Sequence, residues 1–471
     1  MKVIFHIDVN SAFLSWSAVK RLREDPHATD LRTIPSAVGG DVSKRHGVIT
    51  ARSIPAKKYG VKTGEPVITA LRKCPNLVLV SSDFDTYRKY SAAFISILRE
   101  YTDKIQQASI DEAFMDVTEL LASQYGEAGV GFSGEAASGE TAFNGSTGLS
   151  GEAVDVSLLR SAAASLADKI RSDVSTRLGF TVNVGISENK LLAKMASDFT
   201  KPDRTHTLWP EEVPAKMWPL PIGDLYGCGS KTAEKLGRIG IRTIGDAAKT
   251  DPKVLKKLLG EKGGMYIHYA SCGVGSDILE TEPRDAKSYS NETTTSYDIT
   301  RENYNDEMPR ILRHLSEKVA ARMKRDGAAG KTISVSVKTS DFERRSRQTT
   351  IPVATNDAGA ILGTAAALMK ELSFGTAAAS GTSAAGSAGT NPNNLKPNAG
   401  LLSTVSGYRL IGVGVSNLEG EASQISMSDF MTRQDEEEQQ TLAAEKHQTL
   451  ENLMASIRER YGENAAKWGG K

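Results

Sequence analysis

The N-terminal half of the chain alternates strand-like and helix-like segments in an order that few folds accept. Strand-like stretches occur at 2–8, 105–111, 113–117 and 180–186, with helical and loop material at 11–104 and a long helical pattern at 156–178. With the material between 20 and 80 set aside, the order is β-α-β-β-α-β, the split βαβ arrangement of ferredoxin-like folds. We therefore expect a multi-domain α+β protein built around such a sheet.

An acidic pair, Asp111 and Glu112, interrupts the apolar segment between residues 105 and 117. Neighbouring side chains on a regular strand point to opposite faces, so a plain strand would not direct both carboxylates to one site. Burying either carboxylate without a partner would also be costly. A tight turn at this pair would let both carboxylates face the same site.

A third carboxylate, Asp8, lies at the end of the first strand, "IFHIDVNSAF". In the expected sheet this strand neighbours the 105–117 hairpin, so Asp8, Asp111 and Glu112 can converge. Oxygen ligands suit Mg²⁺, and two such ions can support phosphoryl transfer. The alternative is that Asp8 and Asp111 cap strand ends while Glu112 is solvated. The pattern also does not separate a polymerase from a nucleotide cyclase.

The composition sets limits on location and partners. A net charge of +1 over 471 residues means that any nucleic-acid surface must be a local patch. Three scattered cysteines, Cys74, Cys228 and Cys272, fit free thiols in a reducing cytoplasm. No apolar run reaches the length of a membrane span, and the N-terminus makes a poor signal peptide.

Two segments of low complexity, 126–155 and 375–400, are rich in Gly, Ser and Ala. Such sequences bury too little apolar area to order themselves, so we expect flexible insertions. Linkers between domains explain the same composition equally well.

Three motifs, "FHIDVNSAF" (5–13), "ASIDEAFMDVT" (108–118) and "VNVGISENKLLAKMASDFTKPD" (182–203), together resemble the Y-family DNA polymerases of the DinB type. The resemblance runs from residue 2 to about residue 430, with the two insertions excepted. It implies a right-hand polymerase with a ferredoxin-like palm, small fingers, a helix-hairpin-helix thumb and an α/β little finger. The implied divisions are palm 1–19 and 81–205, fingers 20–80, thumb 206–286, little finger 287–421, and a clamp-binding motif with a C-terminal helix in 422–471.

The resemblance also implies roles for individual residues. Asp8, Asp111 and Glu112, with the carbonyl of Val9, would bind two catalytic Mg²⁺ ions, for which Mn²⁺ can substitute. Phe13 would be a steric gate against a ribose 2′-hydroxyl, although a helix-face core aromatic explains it as simply. The residues implied for the incoming triphosphate are Ser11, Ala12, Lys57 and Lys201.

The chain departs from the family pattern at three positions. Many members have Tyr and Arg where this chain has Ile54 and Lys57, and a second Asp where it has Asn10. Loss of the phenol and of the bidentate guanidinium is expected to weaken the grip on a triphosphate. A solvated basic turn is the alternative for Lys57.

Two regions are expected to hold DNA. Residues 220–250 resemble a helix-hairpin-helix in which Gly227 and Gly229 let the backbone approach a phosphate and Lys231 adds charge; an ordinary helical corner explains the segment equally well. The alternating segment at 331–351 predicts strands that carry a local excess of positive charge, suited to contacts with the DNA backbone. The residues expected to make those contacts are Lys338, Arg344, Arg345 and Arg347, with a solvated loop of mixed charge as the alternative.

The C-terminal segment contains "QISMSDF" (424–430). Gln424, Met427 and Phe430 resemble the short motif by which such polymerases dock on the ring-shaped sliding clamp. An unstructured tail is the alternative. Beyond it, apolar residues recur at helical spacing and predict an amphipathic helix whose partner is not specified.

Taken together, these features predict an error-prone translesion DNA polymerase. It would add deoxynucleotides to a primer 3′ end on a DNA template, distributively and without proofreading, in DNA damage tolerance. We expect a monomer in the cytoplasm whose partners are primer–template DNA, dNTPs and the sliding clamp. A nucleotide cyclase should lack the thumb and the basic domain, and the other alternative is a non-catalytic scaffold that binds DNA and the clamp.

Overall fold

The computed structural model describes residues 1–40, 47–126, 156–282, 285–375 and 400–419. The chain divides into two compact units, Met1–Asp285 and Ala286–Lys471. In the described ranges, no helix is both long enough and apolar enough to span a membrane. The two insertions, apart from their end residues, lie outside the described residues, as do Gln424, Met427, Phe430 and the C-terminal helix.

The first unit contains two sheets and a set of helices. Its strands are β1 (Ile4–Val9), β2 (Ser36–Gly39), β3 (Ile49–Arg52), β4 (Val78–Val80), β5 (Ile105–Gln107), β6 (Glu112–Asp116), β7 (Val182–Ser187) and β8 (Thr205–Thr207). Its helices are α1 (Ala12–Glu24), α2 (Ile54–Lys58), α3 (Val67–Lys73), α4 (Phe84–Arg99), α5 (Thr118–Gly126), α6 (Val156–Leu178), α7 (Lys190–Ser197), α8 (Ser230–Gly237), α9 (Ile244–Lys249), α10 (Pro252–Leu259) and α11 (Glu261–Ser271).

The larger sheet has the order β5-β6-β1-β7-β8, and β1 pairs antiparallel with both β6 and β7. The first four of these strands give the ferredoxin-like order expected from the sequence. β1 is buried along its whole length, which explains why its sequence is almost continuously apolar. The strand predicted at 105–111 ends at Gln107, because the chain bends over the next four residues before β6 begins.

Helices α4 and α6 contribute their apolar sides to the core under this sheet. Phe94 of α4 and Ile170 of α6 are fully buried with Phe5 of β1 and Val184 of β7. The start of α4 is fixed because the Asp83 side chain accepts a hydrogen bond from the backbone of its first turn. Alanines on α6 let that helix lie close to its neighbours.

The smaller sheet has the order β3-β2-β4, with β2 antiparallel to β3 and parallel to β4. Helices α2 and α3 follow β3 and pack on it through Ala56, Val67 and Ala70. The sheet therefore presents the end of β3 and the start of α2 as one fixed structure. This pair of elements forms one wall of the cleft described below.

The segment expected to form a helix-hairpin-helix has only a single helical turn, Ile222–Asp224, before α8. Pro221 and Gly223 bracket the start of this turn and do not favour a longer helix. Helices α8 and α9 follow, joined by a short connection. The predicted first helix is thus shorter than expected, and the two later helices are present.

The second unit is a four-stranded antiparallel sheet, in the order β11-β10-β12-β9, covered by two helices. Alternate residues of β10, such as Ile333, Val335 and Val337, face the core, which accounts for the apolar–polar alternation of the sequence. Its elements are β9 (Ser288–Ile299), α12 (Tyr304–Arg325), β10 (Gly330–Thr339), β11 (Arg344–Thr355), α13 (Ala358–Phe374) and β12 (Tyr408–Leu418).

Candidate active site

Two of the three predicted carboxylates are neighbours on adjacent strands of the larger sheet. Asp8, near the end of β1, is directly opposite Glu112, the first residue of β6. Opposed residues on antiparallel strands project to the same face, so both carboxylates point to one side of the sheet. Only 8% of Asp8 is exposed. The Val9 amide donates to the Asp111 carbonyl over 3.0 Å and fixes the bend before β6.

The third carboxylate, Asp111, is turned toward its own bend. The Ser109 hydroxyl donates a 2.6 Å hydrogen bond to Asp111 Oδ1 and accepts one of 3.2 Å from the Asp111 amide. Among the described residues, no three side chains of His, Cys, Asp or Glu form a ready-made cluster for a metal ion. Asp8 and Glu112 lie together, and Asp111 lines the same cleft as Asp8, so the joint role of the three carboxylates stays a prediction.

A buried lysine that sequence reasoning missed neutralises the opposed pair. Lys194 Nζ donates a 2.6 Å hydrogen bond to Glu112 Oε1 and lies 3.7 Å from Asp8 Oδ2. Helix α7 can come this close because β7 has Gly185, where a Cβ would lie 2.0 Å from the Ala193 carbonyl oxygen. The one available sequence signal was a lysine among apolar residues of a short helix.

Lys201, expected to bind triphosphate, forms ion pairs with two carboxylates. Its ammonium donates to Asp8 Oδ1 over 2.9 Å and lies 2.8 Å from Asp198 Oδ1. Burial opposes the charge of Lys201, but the negative charges of Asp8 and Asp198 raise its pKa above the usual value. Lys201 is thus a cation at the edge of the cleft, within direct reach of the Asp8 carboxylate.

The carboxyl groups differ in acidity because their surroundings differ. Burial raises the pKa of Asp8 to about 7, against the opposing pull of Lys201. The His6 ring nitrogen, 3.7 Å from Glu112 Oε2, and the Lys194 ammonium hold the pKa of Glu112 well below its usual range. Burial lowers the pKa of His6, so its ring is neutral near pH 7. At neutral pH Glu112 is therefore ionised, while Asp8 is close to its midpoint.

A cleft of about 340 Å³ opens between the larger sheet and the β3–α2 wall. Apart from Glu112, every residue predicted to hold metal, gate the sugar or bind triphosphate lines it. These residues are Asp8, Val9, Ser11, Ala12, Phe13, Lys57, Asp111 and Lys201. Their positions agree with one shared site, and their individual roles stay predictions.

Phe13 both packs against the core and lines the cleft. Its ring stacks on Tyr87, with centroids 4.7 Å apart and planes 16° from parallel. An edge contact with Phe84 and a tilted contact with the Trp16 ring hold it from other sides. The ring is thus rigidly placed, and the two explanations offered by the sequence are both compatible with its position.

The first turn of α1 forms the floor of the cleft beside Phe13. Ser11 precedes the helix with a left-handed backbone, φ 48° and ψ 50°, and makes no side-chain cap. Amide groups in the first turn of a helix lack intrahelical acceptors and favour an anion. Ser11 and Ala12 therefore place free amide donors where the resemblance expects phosphate.

Asn10, where many family members are expected to have an Asp, forms hydrogen bonds inside the protein. Its amide nitrogen donates to Asn183 Oδ1 over 3.0 Å, and its Oδ1 accepts hydrogen bonds from Thr181 Oγ1 and the Asp203 amide. The side chain is nearly fully buried. Asn10 thus ties β1 to β7 and to the loop after α7 without adding charge.

The β3–α2 wall contains two residues that sequence reasoning missed, Thr50 and Arg52. Ile54 also lines the cleft and is 49% exposed, and Lys57 is exposed in the last turn of α2. Thr50 and Arg52 alternate along a strand, so they share a face. No sequence motif distinguishes them, because their position depends on how the smaller sheet meets the larger one.

The two glycines expected at a DNA phosphate have different surroundings. Gly227 has φ +82°, and a Cβ there would lie 2.5 Å from the Tyr266 hydroxyl oxygen. Gly229 precedes α8 in an extended conformation, and a Cβ there would meet nothing within 4 Å. Lys231 is exposed in the first turn of α8. Gly227 is therefore required by the local packing, whereas the space over Gly229 is open.

The arginines expected to contact DNA lie on β11, whose first residues are exposed. Arg344 pairs with Glu292, Arg345 with Glu343 at 2.6 Å, and Arg347 with Glu371 at 3.2 Å. Lys338 lies 4.9 Å from the centroid of the Phe342 ring. The positive charges are thus on one open strand and its neighbour, and each arginine has an acidic partner that a phosphate would have to replace.

Comparison with known proteins identifies the class. Over 88% of this chain the fold matches the Y-family DNA polymerase chimera Dbh-Dpo4(243-245)-Dbh, with a TM-score of 0.62, 21% identity and 99% of that chain covered. At this identity the match establishes the fold, a Y-family polymerase architecture. Three sequence models of one family also match: impB/mucB/samB over residues 7–198, its C-terminal domain over 286–427, and the family's HHH motif over 210–241.

Sequence comparison with curated relatives points to the same class of protein. A DNA polymerase IV from Clostridium acetobutylicum is 36% identical over 98% of this chain and 96% of its own length. DNA polymerase IV 1 from Bacillus subtilis is 34% identical over 74% of this chain and 73% of its own length. The chain belongs to the impB/mucB/samB family, which confirms the resemblance and the fold class expected from the sequence.

Proposed function

We propose that this chain is a DNA-directed DNA polymerase that extends a primer 3′ end with deoxynucleotides and tolerates damaged templates. The observation that carries the proposal is the opposed pair Asp8 and Glu112, of which Asp8 lines a cleft that also contains Asp111 and Phe13. The relatives named DNA polymerase IV support the same activity over nearly the whole chain. That agreement does not favour the scaffold alternative.

The carboxylate oxygens at and around Asp8 fit a hard divalent cation. Asp8, Glu112 and the nearby Asp111 supply only oxygen, which Mg²⁺ and Mn²⁺ prefer. These three carboxylates and the Val9 carbonyl would hold two Mg²⁺ ions. When bound, the ions would lower the pKa of the primer hydroxyl and balance the charge that develops on the triphosphate.

The remaining side chains bind and orient the nucleotide. The free amides of Ser11 and Ala12 at the start of α1 donate hydrogen bonds to phosphate oxygens. Lys57 and Lys201 add positive charge from opposite sides of the cleft. The fixed Phe13 ring offers no hydrogen bond to a 2′-hydroxyl and occupies the space it would need, which selects deoxyribose.

DNA would be held outside the cleft by the thumb (206–286) and the little finger (287–421), with the palm at 1–19 and 81–205 and the fingers at 20–80. In the thumb, DNA would be contacted by Gly227, Gly229 and Lys231. In the little finger, it would be contacted by Lys338, Arg344, Arg345 and Arg347. Contacts of this kind hold the DNA backbone without reading sequence, as a template-directed enzyme requires. The segment that contains Gln424, Met427 and Phe430 would dock on the sliding clamp. The enzyme would work as a monomer in the cytoplasm.

Primer extension tests the proposal directly. A labelled primer is annealed to four templates that differ only in the first unpaired base, and each is incubated with one dNTP at a time and Mg²⁺. We expect extension chiefly by the complementary dNTP and none without a divalent cation. A protein that binds the primer–template but extends none of the four would contradict the proposal and revive the scaffold alternative.

A further inference from the structure

Arg52 is a cation of the cleft that no predicted role uses. It is the last residue of β3 and lines the same cleft as Asp8 and Phe13. The residue is half-buried, and its Nε is shielded from solvent without any hydrogen-bond partner. A shielded donor of a charged group without an acceptor is unfavourable, so its position points to an acceptor supplied from outside the chain.

The other two cations near Asp8 differ from Arg52 in this respect. Lys194 and Lys201 both form close ion pairs with carboxylates. Within the described ranges of the chain, none of the ion pairs includes Arg52. The two lysines therefore already balance the acidic side of the cleft, and the charge of Arg52 remains available to an anion.

The backbone around Arg52 is held firmly. Arg52 is paired with Ala37 across the smaller sheet. The next residue, Ser53, donates from its hydroxyl to the Ile34 carbonyl over 2.8 Å and accepts hydrogen bonds from the amides of Ser36 and Ala56. The strand end that carries Arg52 is thus fixed, so less backbone entropy is lost when the residue binds a ligand.

We infer that Arg52 binds the triphosphate of the incoming nucleotide and supplies the guanidinium that this chain lacks at Lys57. The inference rests on the proposed function, because it assumes that the cleft receives a dNTP. A phosphate oxygen supplies both the acceptor that Nε lacks and the opposite charge, whereas a nucleobase edge supplies only the acceptor. Arg52 is thus a binding residue of the β3–α2 wall rather than a participant in the chemistry.

The test measures KM and kcat for each of the four dNTPs with wild type, Arg52→Ala and Arg52→Lys. We expect Arg52→Ala to raise KM about 10- to 100-fold, by the same factor for all four nucleotides, since one charged hydrogen-bonding partner is lost. Arg52→Lys should recover part of the loss by restoring charge without the bidentate geometry. The matched control is Lys58→Ala, an exposed cation outside the cleft, which should leave KM unchanged.

A second measurement does not depend on turnover. Each variant is bound to a primer–template whose primer ends in a dideoxynucleotide, so that no extension occurs. The affinity for dNTP is measured from the dNTP concentration that protects this complex from competitor DNA. We expect Arg52→Ala to weaken dNTP binding by the same factor as it raises KM, with unchanged affinity for the primer–template. That unchanged affinity also shows that the variant is folded.

The outcomes separate this inference from the proposed function. An Arg52→Ala variant with wild-type KM and dNTP affinity would overturn the inference while leaving the polymerase intact. A loss confined to one or two bases would also overturn it, because Arg52 would then contact a nucleobase. Wild-type protein that binds dNTP uniformly through Arg52 but extends no primer would contradict the proposed function alone.

Discussion

The Lys194 ammonium donates a 2.6 Å hydrogen bond to Glu112 and lies 3.7 Å from Asp8, so one lysine joins the two opposed carboxylates. Lys194 is only 9% exposed, Asp8 is also buried, and Glu112 is half-buried. Charges in such a place depend on each other because little solvent screens them. The pair of acids is therefore stable in this arrangement only with a nearby cation.

Replacing Lys194 should destabilise the metal-free protein. We expect Lys194→Met to lower the free energy of unfolding by about 1.5–3 kcal/mol, since charged carboxylates lose their hydrogen-bonded partner. Added Mg²⁺ should recover part of this loss by binding the native state. Denaturant unfolding with and without Mg²⁺ measures both effects. Lys104→Met, which breaks an exposed ion pair with Glu119, is the control and should change little.

Truncating Phe13 should relax the selection of sugar. We expect Phe13→Ala to raise the relative efficiency of rNTP incorporation by about 10- to 200-fold, because a hydroxyl then fits beside the nucleotide. The comparison is kcat/KM for matched dNTP and rNTP on one template. Tyr87→Phe keeps the ring that stacks on Phe13 and removes only the hydroxyl that contacts Ser17, so it is the control. Unchanged selectivity in Phe13→Ala would show that another residue excludes the hydroxyl.

The two thumb glycines should respond differently to alanine. Gly227→Ala should cost about 1–2 kcal/mol of folding free energy from its left-handed backbone, and more from the clash with Tyr266. Gly229→Ala should cost less, limited to the weaker capping of α8, yet it should weaken DNA binding if a phosphate approaches there. Thermal unfolding and DNA titration of both variants separate the effects. Full DNA affinity in Gly229→Ala would remove this residue from the DNA surface.

The burial of Asp8 should make the requirement for Mg²⁺ depend on pH. Its pKa is raised to about 7, so at lower pH the carboxyl is protonated and a cation must displace the proton. Between about pH 6 and about pH 7 the Mg²⁺ concentration for half-maximal extension should fall roughly fivefold, and it should level off above about pH 8. Primer extension over a Mg²⁺ series at each pH checks this. A requirement that is constant over the range would mean that Asp8 is ionised throughout.

Much of the fold could be predicted from the sequence because the apolar patterns that specify strands and helices are local. The order of β1, β5, β6, α6 and β7 follows from these patterns, and pairing rules then bring Asp8 next to the acidic hairpin. The exact ends of β5 were missed because a bend is stabilised by particular hydrogen bonds, such as that between Ser109 and Asp111. Such bonds leave no periodic signal.

The residues missed at the site owe their positions to packing between distant segments. Lys194 reaches the carboxylates only because Gly185 lets α7 approach β7, and Arg52 faces the cleft only because of where the smaller sheet lies. A lysine on a helix and an arginine at a strand end are ordinary in sequence. Lys194 is more than 80 residues from its partner Glu112 in the sequence. Arg52 is more than 40 residues from Asp8, which lines the same cleft.

The central claim is that the opposed carboxylates Asp8 and Glu112 are the catalytic centre of a DNA polymerase. The most direct test is single-nucleotide primer extension by wild type and Glu112→Gln at saturating Mg²⁺, with DNA affinity measured in parallel and the exposed Glu119→Gln as control. We predict that Glu112→Gln loses at least about 1,000-fold in rate while keeping wild-type affinity for DNA, because charge at the reacting centre is lost and the shape is kept. Extension by Glu112→Gln at the wild-type rate would contradict the account.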